Sequence, residues 1–161
     1  MTPEDRALRR GLSYFPYDPA YRISTQLHPA DTSDPLSIDT GGPDGIVVYR
    51  RAGRVAVELP LGRGELTIFS LEGYGGGLFL PFRDATAGTD TYGGGRYLVD
   101  TIKNTDRLCL EVEPGSDQVV LDFNYAYNPS CAYDARWACP LAPPENRLGF
   151  PVRSGEMVFA P

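Results

Sequence analysis

From Tyr21 onward, apolar residues recur at every second position in short runs bounded by Gly, Pro, Asn and Asp, which is the period and punctuation of β-strands. Tyr21, Ile23, Thr25 and Leu27 share one face of a first strand, Tyr21–Leu27, and a loop rich in Pro, Asp and Gly then surrounds a short strand at Leu36–Thr40. Gly45–Arg50 and Arg54–Leu59 read as two strands about a turn at Arg51-Ala52-Gly53, and a second hairpin leads through Leu61–Gly64 into Glu65–Leu71. Further strands are predicted at Gly77–Phe82, Gly95–Thr101, Leu108–Val112 and Gln118–Phe123, with a turn at Pro114-Gly115 and a closing strand at Glu156–Phe159. About nine or ten short strands at such spacing predict an all-β fold, an antiparallel barrel or sandwich. The exception is residues 2–11, where Thr2 as N-cap, Pro3, Asp5 and a terminating Gly11 predict one short helix. Leu12–Pro19 is a Pro-broken aromatic connector, and residues 20–160 form the β body of a single domain, 1–161, with no internal repeat.

Composition sharpens that picture without changing it. A chain of 161 residues, 42% hydrophobic and 22% charged, has the make-up of one globular domain. Its 18 Gly and 15 Pro favour strands joined by tight turns. The net charge of −6 argues against nucleic acid as a partner, since such proteins present a basic face. No apolar run approaches the roughly 20 residues of a helical membrane span, and Met1–Asp5 lacks the basic start of a secretory leader. No membrane partner and a cytoplasmic address are therefore expected.

The cysteines leave more open. Cys109 lies in an alternating strand, whereas Cys131 and Cys139 stand eight positions apart in one loop. They are compatible with free thiols, with a disulfide or with a metal site; the single His28 makes a poor complement for zinc, so no metal is expected and free thiols are favoured.

Two regions carry candidate chemistry. In the first, a strand runs into a loop holding Arg83, Asp84, Thr86, Thr91 and Tyr92, then the triplet Gly93-Gly94-Gly95 and Arg96. Clustered N–H groups of a Gly-rich turn, helped by an arginine, can cradle an anion; equally, the glycines can serve tight turns and the Asp and Thr side chains can bond locally. The spacing matches neither phosphate-binding glycine signature. The second region, 122–147, holds Asp122, Asn124, Tyr127, Asn128, Cys131, Glu145, Asn146 and Arg147 in a long aromatic loop. A loop of that length requires compensation for its ordering entropy, either from a ligand or from an internal network in which Arg147 pairs with Asp122 or Glu145. No G-x-S-x-G elbow occurs, and a Cys–His pair would need the distant His28.

The blocks Tyr14–Arg22, Gly77–Tyr92 with Gly95–Leu98, and Leu121–Asn124 with Ala126–Tyr133, Cys139–Leu141 and Pro144–Leu148 resemble the uncharacterised bacterial and archaeal family called domain of unknown function 1684. The likeness runs from about Arg10 to Glu156 and implies no assigned activity. It focuses attention on the same two loops. Tyr125 stands where members of that family often carry Arg, and Lys103–Asp117 is longer than usual in it.

The resulting expectation is a site made by loops 83–96 and 122–147, meeting over one end of the β body. It would take a small polar or anionic molecule, with Arg96 as the foremost anion carrier and enzymatic chemistry left open. The alternative is a structural or protein-interaction module whose polar network only pins the loops. A flavin-binding split barrel is a weaker third, resting on architecture alone. Asp84 or Arg96 is expected within reach of Asp122 or Arg147.

Overall fold

The computed structural model describes residues 11–30, 34–39, 45–71, 77–100, 110–112 and 115–159. The helix predicted over residues 2–11 lies, but for Gly11, outside them, as does Cys109.

Among the described residues, eight strands make one mainly antiparallel, curled sheet: β1 (Arg22–His28), β2 (Leu36–Asp39), β3 (Ile46–Leu59), β4 (Gly62–Leu71), β5 (Leu78–Phe82), β6 (Arg96–Asp100), β7 (Leu110–Val112) and β8 (Gln118–Asp122). Seven follow in the order β6-β5-β4-β3-β1-β8-β7, and β2 pairs with the first part of β3. Among the described residues its ends, β6 and β7, do not pair with each other, and the predicted barrel or sandwich is corrected to a curled half-barrel.

Three predicted boundaries also change. Arg51-Ala52-Gly53 is not a turn: β3 runs through it for 14 residues, with a bulge between Arg51 and Gly53. Gly53 is required by close approach, because a Cβ there would lie 2.6 Å from Leu27 Cδ1 and 2.8 Å from the His28 carbonyl of β1. The bulge also reverses which face odd-numbered residues occupy. Tyr49, before it, joins a small aromatic cluster with Phe69, Phe79 and Tyr97, whereas Val55, Val57 and Leu59, after it, enter the main core. The β3–β4 hairpin is tighter than predicted: Leu59 pairs with Gly62 about a turn at Pro60-Leu61, and Phe150 fills the space over Gly62. Finally, Glu156–Phe159 is no strand; it contributes one bridge, Tyr14 to Glu156.

The main core lies on one face of β3–β6 and β8, where Leu66, Ile68, Leu80, Phe82, Leu98, Val119 and Leu121 are buried. Leu148 and Val152, from the irregular tail, pack into it with Phe123. Strands β4, β5 and β6 thus bury both faces, the second under the aromatic cluster with the partly buried Tyr127 packed against it.

Candidate functional site

The two loops do meet, and backbone bonds bring them together. The Arg83 N–H donates to the Asn146 carbonyl at 3.0 Å and the Leu148 N–H to the Arg83 carbonyl at 2.8 Å, a parallel bridge of Arg83 with Arg147. Tyr97 and Tyr127 exchange N–H···O bonds of 2.8 and 3.0 Å, and their rings meet edge to face at 5.9 Å.

Around these bridges stands a buried polar network with Arg96 at its centre. Its guanidinium donates to Asp84 Oδ1 at 3.2 Å, to the Val152 carbonyl at 2.9 Å, to the Glu156 carbonyl at 3.3 Å and, very closely, to the Ser154 carbonyl. The Phe82 ring lies 5.1 Å beneath it. Both side chains of the pair are buried, Arg96 completely. Burial pushes the Arg96 guanidinium below its ordinary value while the Asp84 charge and hydrogen bond oppose that shift; an arginine so paired stays protonated. The other Asp84 oxygen accepts from the Val152 N–H at 2.7 Å and the Thr86 hydroxyl at 2.8 Å, and Thr86 in turn meets Thr91 at 2.8 Å. The anion expected on Arg96 finds no open donor there: the Nε lacks a partner but is itself buried.

The asparagines act as surrogate backbone. Asn146 accepts from the Thr67 N–H at 2.8 Å and donates to the Thr67 and Pro81 carbonyls at 2.8 and 2.7 Å. It thereby continues, with a side chain, the ladder between β4 and β5, whose backbone pairing covers only Phe69–Phe79 and Ser70–Leu78. Asn124 holds both the N–H and the carbonyl of Asp18, at 3.0 and 2.9 Å, and accepts from Ser154 Oγ at 3.2 Å. Asp122 receives the Asn124 side chain at 2.8 Å and faces Arg22 at 3.9 Å. Asp122 and Arg96 are therefore linked through Asn124 and Ser154, not by contact. Asn128 donates its side-chain amide to the Met157 carbonyl at 2.8 Å, and its backbone N–H to Glu156 Oε2 at 2.9 Å.

Several partners had no sequence signal. Glu145 pairs with Arg51, in bonds of 2.7 and 3.0 Å, and accepts from Thr67 Oγ1 at 3.0 Å; the expected pairing with Arg147 is replaced. The Arg51 hydrogen bonds hold the Glu145 carboxyl below the usual carboxylate range. Glu156, read as a strand residue, is buried and accepts a very short bond from Tyr133 Oη. Burial, reinforced by that bond, raises the Tyr133 phenol. A carboxylate in an alternating stretch looks solvent-facing in a sequence, so its burial leaves no local signal.

At the rim, Tyr92 Oη donates to Cys131 Sγ at 3.6 Å, and the Cys131 N–H donates to Cys139 Sγ at 3.3 Å. The bond to Cys131, then burial, push the Tyr92 phenol up to about 12. Among the described residues, no group of three or more His, Cys, Asp or Glu is arranged to hold a metal ion. No helix among them is long and apolar enough to cross a membrane.

Arg83 and Arg147 are placed differently from the rest. They flank buried neighbours on both sides: Phe82 and Asp84, Asn146 and Leu148. Arg147 is exposed and Arg83 half-buried, and neither makes an ion pair or side-chain hydrogen bond among the described residues.

The solution NMR structure of an uncharacterised protein from locus rrnAC0354 of Haloarcula marismortui is similar, with a TM-score of 0.68 and 34% identity, covering 98% of this chain and 81% of that one. No curated protein matches. The family described as "protein of unknown function (DUF1684)" matches residues 9–157, and the chain belongs to it.

Proposed function

We propose that the chain binds a small molecule carrying a carboxylate or phosphate between Arg83 and Arg147, and that the buried network is the frame that sets these two arginines side by side. The observation that carries this reading is the parallel bridge between them. Bridged residues of neighbouring strands project to the same side about 4.8 Å apart. Two like charges so placed repel, and an anion shared between them turns that cost into charge-assisted hydrogen bonding. Both lie in the loop pair singled out by the sequence.

The frame explains the rest of the polar residues. Asp84 and Asn146, the immediate neighbours of the two arginines, are fixed by three or more hydrogen bonds each. The backbones of the pair are held this way before a ligand arrives, so binding has to order only the two side chains, which is how a preformed site gains affinity.

The test is a thermal-shift series with inorganic phosphate, di- and tricarboxylates, nucleotides and flavin mononucleotide at fixed ionic strength. At least one anion should raise the melting temperature of the parent, and both Arg83→Ala and Arg147→Ala should abolish the rise, with the exposed Arg147→Ala staying within about 0.5 kcal/mol of the parent's stability, as surface changes do. A parent indifferent to every anion would leave the structural or protein-interaction reading in front, which the saturation of Arg96 by the chain's own groups favours.

A further inference from the structure

At the rim of the frame, the chain holds Cys131 and Cys139 against each other. Neither forms a disulfide, and both are half-buried. With Cys139 Sγ 3.3 Å from the Cys131 nitrogen, covalent geometry puts that sulfur within roughly 5 Å of the Cys131 Cα. A disulfide needs its two Cα atoms roughly 4.4–6.8 Å apart, a range that this contact allows.

The intervening loop is already turned back on itself. Ala132 N–H donates to the Pro129 carbonyl at 2.9 Å, Tyr133 N–H to Ser130 at 3.1 Å and Trp137 N–H to Asp134 at 3.1 Å. Arg136 forks onto the Asp134 carboxylate at 2.7–3.1 Å. Both ends are anchored outside the loop, at Tyr97 Oη to the Pro140 carbonyl, 2.6 Å, and at Tyr92 Oη to Cys131 Sγ, 3.6 Å. The entropy of bringing two thiols together is thus largely spent in the folded chain, which raises their effective concentration toward each other.

We propose that Cys131 and Cys139 are a redox-active dithiol that closes to an intramolecular disulfide when the protein meets hydrogen peroxide, and reopens with a small thiol. One sulfur, as thiolate, attacks a peroxide oxygen; the O–O bond breaks, water leaves and a sulfenic acid forms. The second sulfur displaces the sulfenic oxygen as water, forming the S–S bond. Two thiols and one peroxide become one disulfide and two waters. Reopening by two equivalents of thiol returns both S–H groups and forms the small disulfide. The closed bond would fasten the 131–139 loop, and would withdraw the thiol that receives the Tyr92 hydroxyl.

Arg136 makes the test direct, since tryptic cleavage after it leaves the two cysteines on separate peptides joined only by their disulfide. The full chain carrying Cys109→Ser, which removes the third thiol, is treated at low protein concentration with hydrogen peroxide, then alkylated without reductant and digested. Joined Cys131 and Cys139 peptides from a monomeric product, formed at least tenfold faster folded than in denaturant and reversed by dithiothreitol, are expected. Cys131→Ser and Cys139→Ser should each abolish the product; Trp137→Ala, altering the loop but no sulfur, should retain it. Full alkylation of both thiols after peroxide, cross-linked dimers in place of the internal bond, or equal rates folded and unfolded would overturn the proposal.

Discussion

Arg96 and Arg147 carry the same charge and stand in the two loops that meet, but their surroundings give them opposite roles. Arg96 is wholly buried with Asp84 as its counter-charge, so Arg96→Ala should cost about 3–5 kcal/mol, because it strands a buried carboxylate. Arg147 is exposed, and its removal should leave the urea midpoint almost unmoved. Equal small losses for the two variants in chemical denaturation would show that the buried pair does not hold the loops. Glu145 supplies a pH test. Its folded carboxyl sits below its ordinary value because of Arg51, so the stabilisation is complete above the unfolded carboxylate value and is lost as the pH falls through the lowered folded one. Parent and Glu145→Gln should differ by about 0.5–1 kcal/mol near neutrality. They should converge in acid, and a gap that persists or widens there would contradict the assignment. Tyr92 reports on the thiol layer: tyrosinate absorbance should show one group titrating near 12 in the parent, and Cys131→Ala should bring it back toward 10. A difference spectrum against Tyr92→Phe isolates that one phenol among the ten tyrosines.

At the scale of elements, alternation located the strands well: β1, β2, β5, β6 and β8 begin and end within a residue or so of where the pattern places them. It failed at Arg51–Gly53, where an Arg-Ala-Gly run has the composition of a turn and the structure has a bulge. A glycine needed for close approach to β1 and a glycine needed for a turn look the same in sequence. It failed again at Glu156–Phe159, whose alternating residues are tied by long-range bonds to Arg96, Asn128 and Ser13 instead of to a neighbouring strand. The candidate residues were legible as types, since Asn and Asp in a long loop must satisfy someone's backbone. Their partners were not, because separations such as 79 residues between Thr67 and Asn146 leave no local trace. Asn146 is where this matters energetically. Asn146→Ala strands the Thr67 N–H and the Thr67 and Pro81 carbonyls, at about 1–3 kcal/mol for each group left unsatisfied. Asn146→Asp keeps an acceptor but loses both donated bonds, so it should also destabilise. A parent-like melt for Asn146→Asp would mean that the side chain does not bridge β4 and β5.

For the whole molecule, an open curled sheet needs something to cover its inner face, and here the irregular tail does so. Leu148 and Val152 enter the core, the carbonyls of Val152, Ser154 and Glu156 converge on Arg96, and Phe150 closes over the β3–β4 hairpin. The similarity to the Haloarcula marismortui protein covers 98% of the chain, as expected of a fold whose tail places Leu148 and Val152 in its core. Such an arrangement spends its polar residues on holding loops and leaves the half-buried Arg83 beside the exposed Arg147 at the seam. The central claim is that this seam, and not the buried arginine, receives an anion. The most direct measurement follows the arginine side-chain Nε–H resonances of the isotopically labelled protein by NMR as inorganic phosphate is added at constant ionic strength. The Arg83 and Arg147 signals should shift together along one saturating curve while Arg96 stays in place. Unmoved signals for that pair, or the same unsaturated drift for every exposed arginine, would contradict the account.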